Sequence, residues 1–199
     1  MTKKRLDKIK LQTCHAPRCG RLGRGRFCVH HRSLFRYYGA PVAGPTKQLL
    51  EVHQRYLRKS LGPLIELDQE VHNLILQIAD IAFEPRPMHF KGARPSRTLW
   101  ASYEAVTGQV LRIRQCHPGE TNTELAERLW WAFLTTQCLE LSSIYVHQDR
   151  HHFWTSVVRL LLTDSHGQKP SSRYADYLDE WLNTLLSTPA AKLCTRVKL

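Results

Sequence analysis

TNTELAERLWWAFLTTQCLELSSIY (residues 121–145) is the segment that decides the fold class. Thr121-Asn122-Thr123-Glu124 has the form of a capping box, in which a Thr hydroxyl and a Glu carboxylate close the free amides at a helix start. Behind it stand Leu125, Leu129, Trp130, Phe133, Leu134, Cys138, Leu141 and Ile144 at helical spacing. The pattern predicts one long helix to about Tyr145, the strongest in the chain.

The same period extends outward in both directions. Thr46 is a candidate cap for a helix over 46–61, with Leu49, Leu50, His53, Leu57 and Leu61 near one face. Gly62-Pro63 is expected to break it. A second helix over 64–83 then carries Leu64, Leu67, Val71, Leu74, Ile75, Ile78 and Ile81. Residues 84–97 hold three prolines with Arg86, Lys91, Arg94 and Arg97 and read as a solvated loop. Ser96 is a candidate cap for a helix over 96–115. Further helices are expected over 149–162 and 171–186, the last with Tyr174, Leu178, Trp181, Leu182 and Leu185 on one face. No strand-like alternation runs through 46–199. The expected fold is mainly α: a bundle of about six helices over 46–199, preceded by a small module over 1–45.

That small module carries the charge. The 199-residue chain has a formal net charge of +12, and all but two of those charges lie in the first 36 residues. Lys3, Lys4, Arg5, Lys8, Lys10, Arg18, Arg21, Arg24, Arg26, Arg32 and Arg36 face a single acid there, Asp7. Such a concentration predicts attraction to a polyanion. The N-terminus is charged with no apolar run behind it, and no stretch approaches the roughly 20 apolar residues of a membrane span. The expected setting is cytoplasmic, nucleoid-associated in a bacterium, with no membrane partner. Disulfides are rare there, and clustered cysteines are metal ligands more often than staples.

The cysteines cluster within the basic segment, as Cys14-x4-Cys19-x8-Cys28-x2-His31. Three thiolates and an imidazole are a donor set that Zn²⁺ takes tetrahedrally. Three glycines in the intervening GRLGRGR loop (residues 20–26) let the backbone wrap a small centre. His15 and His30 are alternative donors. His30 would leave one residue between ligands and strain the centre, so His31 is preferred. A segment this short cannot build a core, and zinc would supply its folding free energy, about 10 kcal/mol. Without metal, residues 12–40 are expected to be disordered. Arg32-Ser33-Leu34-Phe35-Arg36-Tyr37-Tyr38 reads as a helix that ends at Gly39 and Pro41, with Arg32 and Arg36 on one face.

Arg24-Gly25-Arg26-Phe27-Cys28, then His31, Arg36, Gly39 and Pro41, resembles the small zinc-binding motif of phage and mobile-element proteins. There it accompanies HNH homing-endonuclease or other DNA-binding domains. The resemblance covers about thirty residues and implies that Cys14, Cys19, Cys28 and His31 bind metal in a phage or mobile-element setting. No HNH pattern follows it.

Nothing in 46–199 presents a phosphate-cradling loop, a nucleophile elbow or a dinucleotide fingerprint. His147, Asp149, His151 and His152 form the other titratable cluster, read as a polar helix junction, or in the rival reading as a nuclease centre. Cys116, Cys138 and Cys194 are far apart in sequence, and Cys138 is read as a core residue. The expected function is non-catalytic nucleic-acid binding, to DNA before RNA. Lys3, Lys4, Arg5, Arg18, Arg21, Arg24, Arg26, Arg32 and Arg36 would be the contacts. The helical part would form a homo-oligomer or dock to a larger nucleoprotein complex. A protein–protein adaptor or inhibitor is the third reading.

Overall fold

The computed structural model describes residues 11–16, 19–38, 47–86, 97–142, 150–162 and 170–197, with backbone alone for 34–38 and 97–100. The chain divides into two compact units, Met1–Gly44 and Pro45–Leu199. The first holds strands β1 (Leu11–Thr13) and β2 (Leu22–Arg24) and helix α1 (Val29–Tyr38). The second holds α2 (Lys47–Ile65), α3 (Gln69–Phe83), α4 (Arg97–Cys116), α5 (Asn122–Leu141), α6 (Arg150–Leu161) and α7 (Ser172–Cys194). No helix among the described residues is long and apolar enough to cross a membrane.

Helix α5 is the centre of the second unit, packed against α2, α3, α6 and α7. The capping box forms as its sequence dictates. The Glu124 amide bonds the Thr121 hydroxyl, and the Thr121 amide bonds the Glu124 carboxylate at 2.7 Å. An unbroken run from Leu129 to Thr136 is buried, so this helix is covered nearly all round. Thr135 and Thr136 are tolerated there because their hydroxyls donate to the Trp131 and Ala132 carbonyls one turn back. Trp130, Phe133, Phe153, Trp154 and Tyr174 fill the space between α5, α6 and α7.

Helix ends in this unit are closed by side chains from neighbouring helices. The Tyr177, Tyr174 and Arg114 side chains donate to the Ile81, Ala82 and Phe83 carbonyls at the end of α3. At the end of α6, Lys47 Nζ donates to the Leu162 carbonyl and His117 Nε2 bonds the Leu161 carbonyl at 2.8 Å. A carbonyl only accepts, so His117 Nε2 is the donor in this bond. These bonds satisfy carbonyls that have no partner within their own helix and hold the helices in register.

Several expectations are corrected. Gly62-Pro63 does not break α2, which continues to Ile65. Pro63 lies in the last turn, where a proline ring costs one backbone bond, and the Glu66 amide still closes on the Gly62 carbonyl. The break falls instead before Asp68, whose carboxylate caps α3 by accepting from the Glu70 and Val71 amides. Leu64 and Leu67 therefore stand outside α3 and are exposed, Leu67 at 89%. Leu49 is likewise exposed, since the buried line of α2 is Leu50, Leu57 and Leu61. Helix α7 runs past 186 and through Pro189 to Cys194. Its added turns carry Ala190 and Leu193 into the core and bring Cys194 to Cys138, with which it forms a disulfide. Cys138 is a core residue, but bonded rather than free. Helix α5 ends at Leu141, and Thr46, Ser96, Gly39 and Pro41 lie outside the described residues.

Candidate metal centre

The first unit is a β-ribbon folded against the start of a helix. β1 and β2 pair antiparallel, with Leu11 opposite Arg24, Gln12 opposite Gly23 and Thr13 opposite Leu22. Cys14 follows β1 directly, and its amide donates to the Arg21 carbonyl at 2.9 Å. A turn then brings the Cys19 amide to the Ala16 carbonyl at 3.1 Å. After β2 the chain reverses at Gly25, whose φ of +95° suits glycine. The His15 amide closes that reversal by donating to the Arg26 carbonyl at 3.0 Å. Cys28 precedes α1, and His31 lies in its first turn.

Gly23 is required by contact. A Cβ there would lie 2.7 Å from both Cys28 Cα and the Phe27 carbonyl oxygen. The ribbon and the Cys28 backbone meet without a side chain between them, which pulls both halves of the ligand set together. Gly20 has open space around it.

The result is one cluster. A ligand atom from each of Cys14, Cys19, Cys28 and His31 lies within 4.8 Å of the other three. Cys14 Sγ and Cys28 Sγ sit 3.3 and 3.4 Å from the same atom, His31 Nδ1. A zinc tetrahedron with Zn–S of about 2.3 Å and Zn–N of about 2.0 Å has S···N edges of about 3.5 Å. Two sulfurs meet one ring nitrogen at close to that edge length, so the cluster has room for a shared cation. The cysteines of this unit are all free thiols. Cys14 and Cys28 are 5% and 3% exposed, and Ala16 and Phe27 complete the small core around them.

The electrostatics favour a cation. Burial pushes the Cys14 thiol up, but the Cys28 and Ala16 amides, with His31 and Cys19, outweigh it and bring it down to about 6. For Cys19 the balance reverses. The Arg21 amide lowers it, yet burial and the Cys14 and Cys28 sulfurs raise it above the ordinary thiol value. One thiolate among three crowded sulfurs resists a second deprotonation, and a divalent ion removes that resistance. The four residues therefore fit a zinc ion. His15 and His30 are exposed and stand outside the cluster.

The arginines divide into groups. Arg21, Arg24 and Arg26 are exposed, and the Arg26 guanidinium lies 5.3 Å from the Phe27 ring centroid. Arg32 is turned inward: its guanidinium donates to the Arg24 carbonyl and, at 3.4 Å, to the Phe27 carbonyl. Lys3, Lys4, Arg5 and Arg18 lie outside the described residues, as does the Arg36 side chain. The ribbon itself was not anticipated from sequence. Its strands are three residues each, too short for alternation to register, and the signals left were Gly23 and Gly25.

In the second unit, His151 Nδ1 lies 2.7 Å from Asp176 Oδ1, and the His151 and His152 rings meet edge to face at 5.5 Å. Asp176 comes from α7 and is not in the sequence cluster. His147 and Asp149 lie outside the described residues. Trp130, Trp131 and Trp154 are buried in the core of the second unit. Compared with protein-family models, with curated proteins and with solved structures, the chain gives no match, so what stands of the motif is the four-residue cluster and its geometry.

Proposed function

We propose that Cys14, Cys19, Cys28 and His31 bind one Zn²⁺, and that the metal-ordered module binds nucleic acid, DNA before RNA, without catalysis. The observation that carries the reading is the convergence of four ligand atoms within 4.8 Å in a unit that also bears exposed Arg21, Arg24 and Arg26. Bound zinc would supply the folding free energy that Ala16 and Phe27 alone cannot. It would thereby fix the three guanidinium groups relative to one another. Arginine suits this role because its planar fork bonds phosphate oxygens or a guanine edge in pairs. The N-terminal cations at Lys3, Lys4 and Arg5, with Arg18 and Arg36, would add backbone contacts that carry no sequence information. The helical unit would serve dimerisation or docking to a larger nucleoprotein complex, in a phage or mobile-element setting.

The test joins two measurements on the whole chain. Elemental analysis should find one zinc per chain, and a gel shift on random duplex DNA should be lost on Cys28→Ser. Affinity should fall steeply with salt, since each phosphate neutralised releases counterions. If Arg21, Arg24 and Arg26 each cover a phosphate, together they contribute about −2.7 to the log–log salt slope. Full binding by a zinc-free Cys28→Ser chain would separate the metal from the function.

A further inference from the structure

Arg32 belongs, by its position in a basic segment, with the arginines that face a polyanion. Its surroundings say otherwise. Its amide is tied to the Cys28 carbonyl at 2.8 Å as the first backbone bond of α1. From that anchor the guanidinium reaches back over the chain reversal and donates to the carbonyls of Arg24 and Phe27. Those two carbonyls bracket the reversal between β2 and α1, at whose tip sits Gly25 with positive φ. The Phe27 carbonyl is also one of the atoms pressed against Gly23. One side chain, next in sequence to the ligand His31, thus spans residues 24–27 and sets the path by which Cys28 reaches the cluster.

We infer that Arg32 is a positioning residue of the metal centre: it clamps the β2–α1 reversal and holds Cys28 in register with His31, rather than contacting phosphate. The inference rests on zinc occupying the four-residue cluster. One guanidinium nitrogen, Nη2, donates to both carbonyls. The planar guanidinium fixes where its two hydrogens point, whereas an ammonium on a flexible stem turns freely and fixes neither. Lysine at this position would keep the charge and lose the clamp. That difference separates the two roles.

The experiment measures zinc affinity of the full chain by competition with a chromophoric chelator, beside the salt slope of DNA binding at saturating zinc. Arg32→Lys and Arg32→Ala should each weaken zinc about 10–100-fold, the loss typical of residues that orient metal ligands. Arg24→Lys should leave zinc affinity unchanged. The Co²⁺-loaded Arg32→Lys chain should retain the tetrahedral thiolate absorption of wild type at higher metal concentration, which shows that the centre forms but is held less firmly. At saturating zinc, Arg32→Ala should leave the salt slope as in wild type. Wild-type zinc affinity in both Arg32 variants, with a slope reduced by about 0.9 in Arg32→Ala, would overturn the inference and return Arg32 to the phosphate contacts. A wild-type chain that takes up no zinc would overturn this inference and the zinc reading together. Zinc binding by wild type with unchanged affinity in the variants would remove only the clamp.

Discussion

The two units of this chain solve the same problem with different means. Around α5, a continuous apolar run and the aromatic rings of Trp130, Phe133, Phe153 and Trp154 leave the polar burden to a few hydrogen bonds. Around Cys28, the buried carbon among the described side chains amounts to Ala16, Phe27 and the cysteines themselves. The first fold follows from the area removed from water. The second shows little such area among its described side chains, and its centre is the cluster of Cys14, Cys19, Cys28 and His31. Charge is distributed accordingly: the cysteine-clustered unit carries nearly all the excess cations, and the helical unit is close to neutral.

The comparison breaks most sharply at Cys28→Ser, or with a strong chelator. Amide NMR signals of residues 11–38 should collapse to disordered positions, since about 10 kcal/mol of folding free energy is withdrawn. The melting temperature of the helical unit should not move. Trp130→Ala is the converse change: about 4 kcal/mol lost from the helical unit, read by denaturant titration, with zinc affinity unchanged. Reduction of Cys138–Cys194, 56 residues apart, should cost the same unit about 4 kcal/mol by freeing the unfolded chain. Cys138→Ala/Cys194→Ala should reproduce that loss without reductant. Gly23→Ala inserts a Cβ 2.7 Å from Cys28 Cα and should cost about 2 kcal/mol, roughly 30-fold in zinc affinity. Smallest is Thr121→Ala, about 1 kcal/mol from the helical unit through loss of the capping box.

Those outcomes also mark what was legible beforehand. The capping box at Thr121 and the apolar period behind it read directly, because both signals act within a few residues of each other. So did the clustering of Cys14, Cys19, Cys28 and His31, because a zinc set constrains residue type and spacing together. Gly62-Pro63 misled, since in the last turn a proline removes one backbone bond without ending the helix, and the Glu66 amide still closes on the Gly62 carbonyl. Asp68 decides the boundary. The Cys138–Cys194 bond was invisible because it depends on where α7 ends, which Pro189 obscures. The hydrogen bonds of Arg32 were invisible for a related reason: charge is read from sequence, but the carbonyls it meets are set by the reversal at Gly25.

The central claim is that three sulfurs and one imidazole nitrogen enclose a zinc ion and thereby order the basic module. X-ray absorption at the zinc edge of the purified full-length chain tests it most directly. The account predicts a shell of three sulfurs at about 2.3 Å and one nitrogen at about 2.0 Å, lost in Cys28→Ser. A shell of oxygen and nitrogen alone, or a chain whose residues 11–38 are ordered with no metal bound, would contradict it.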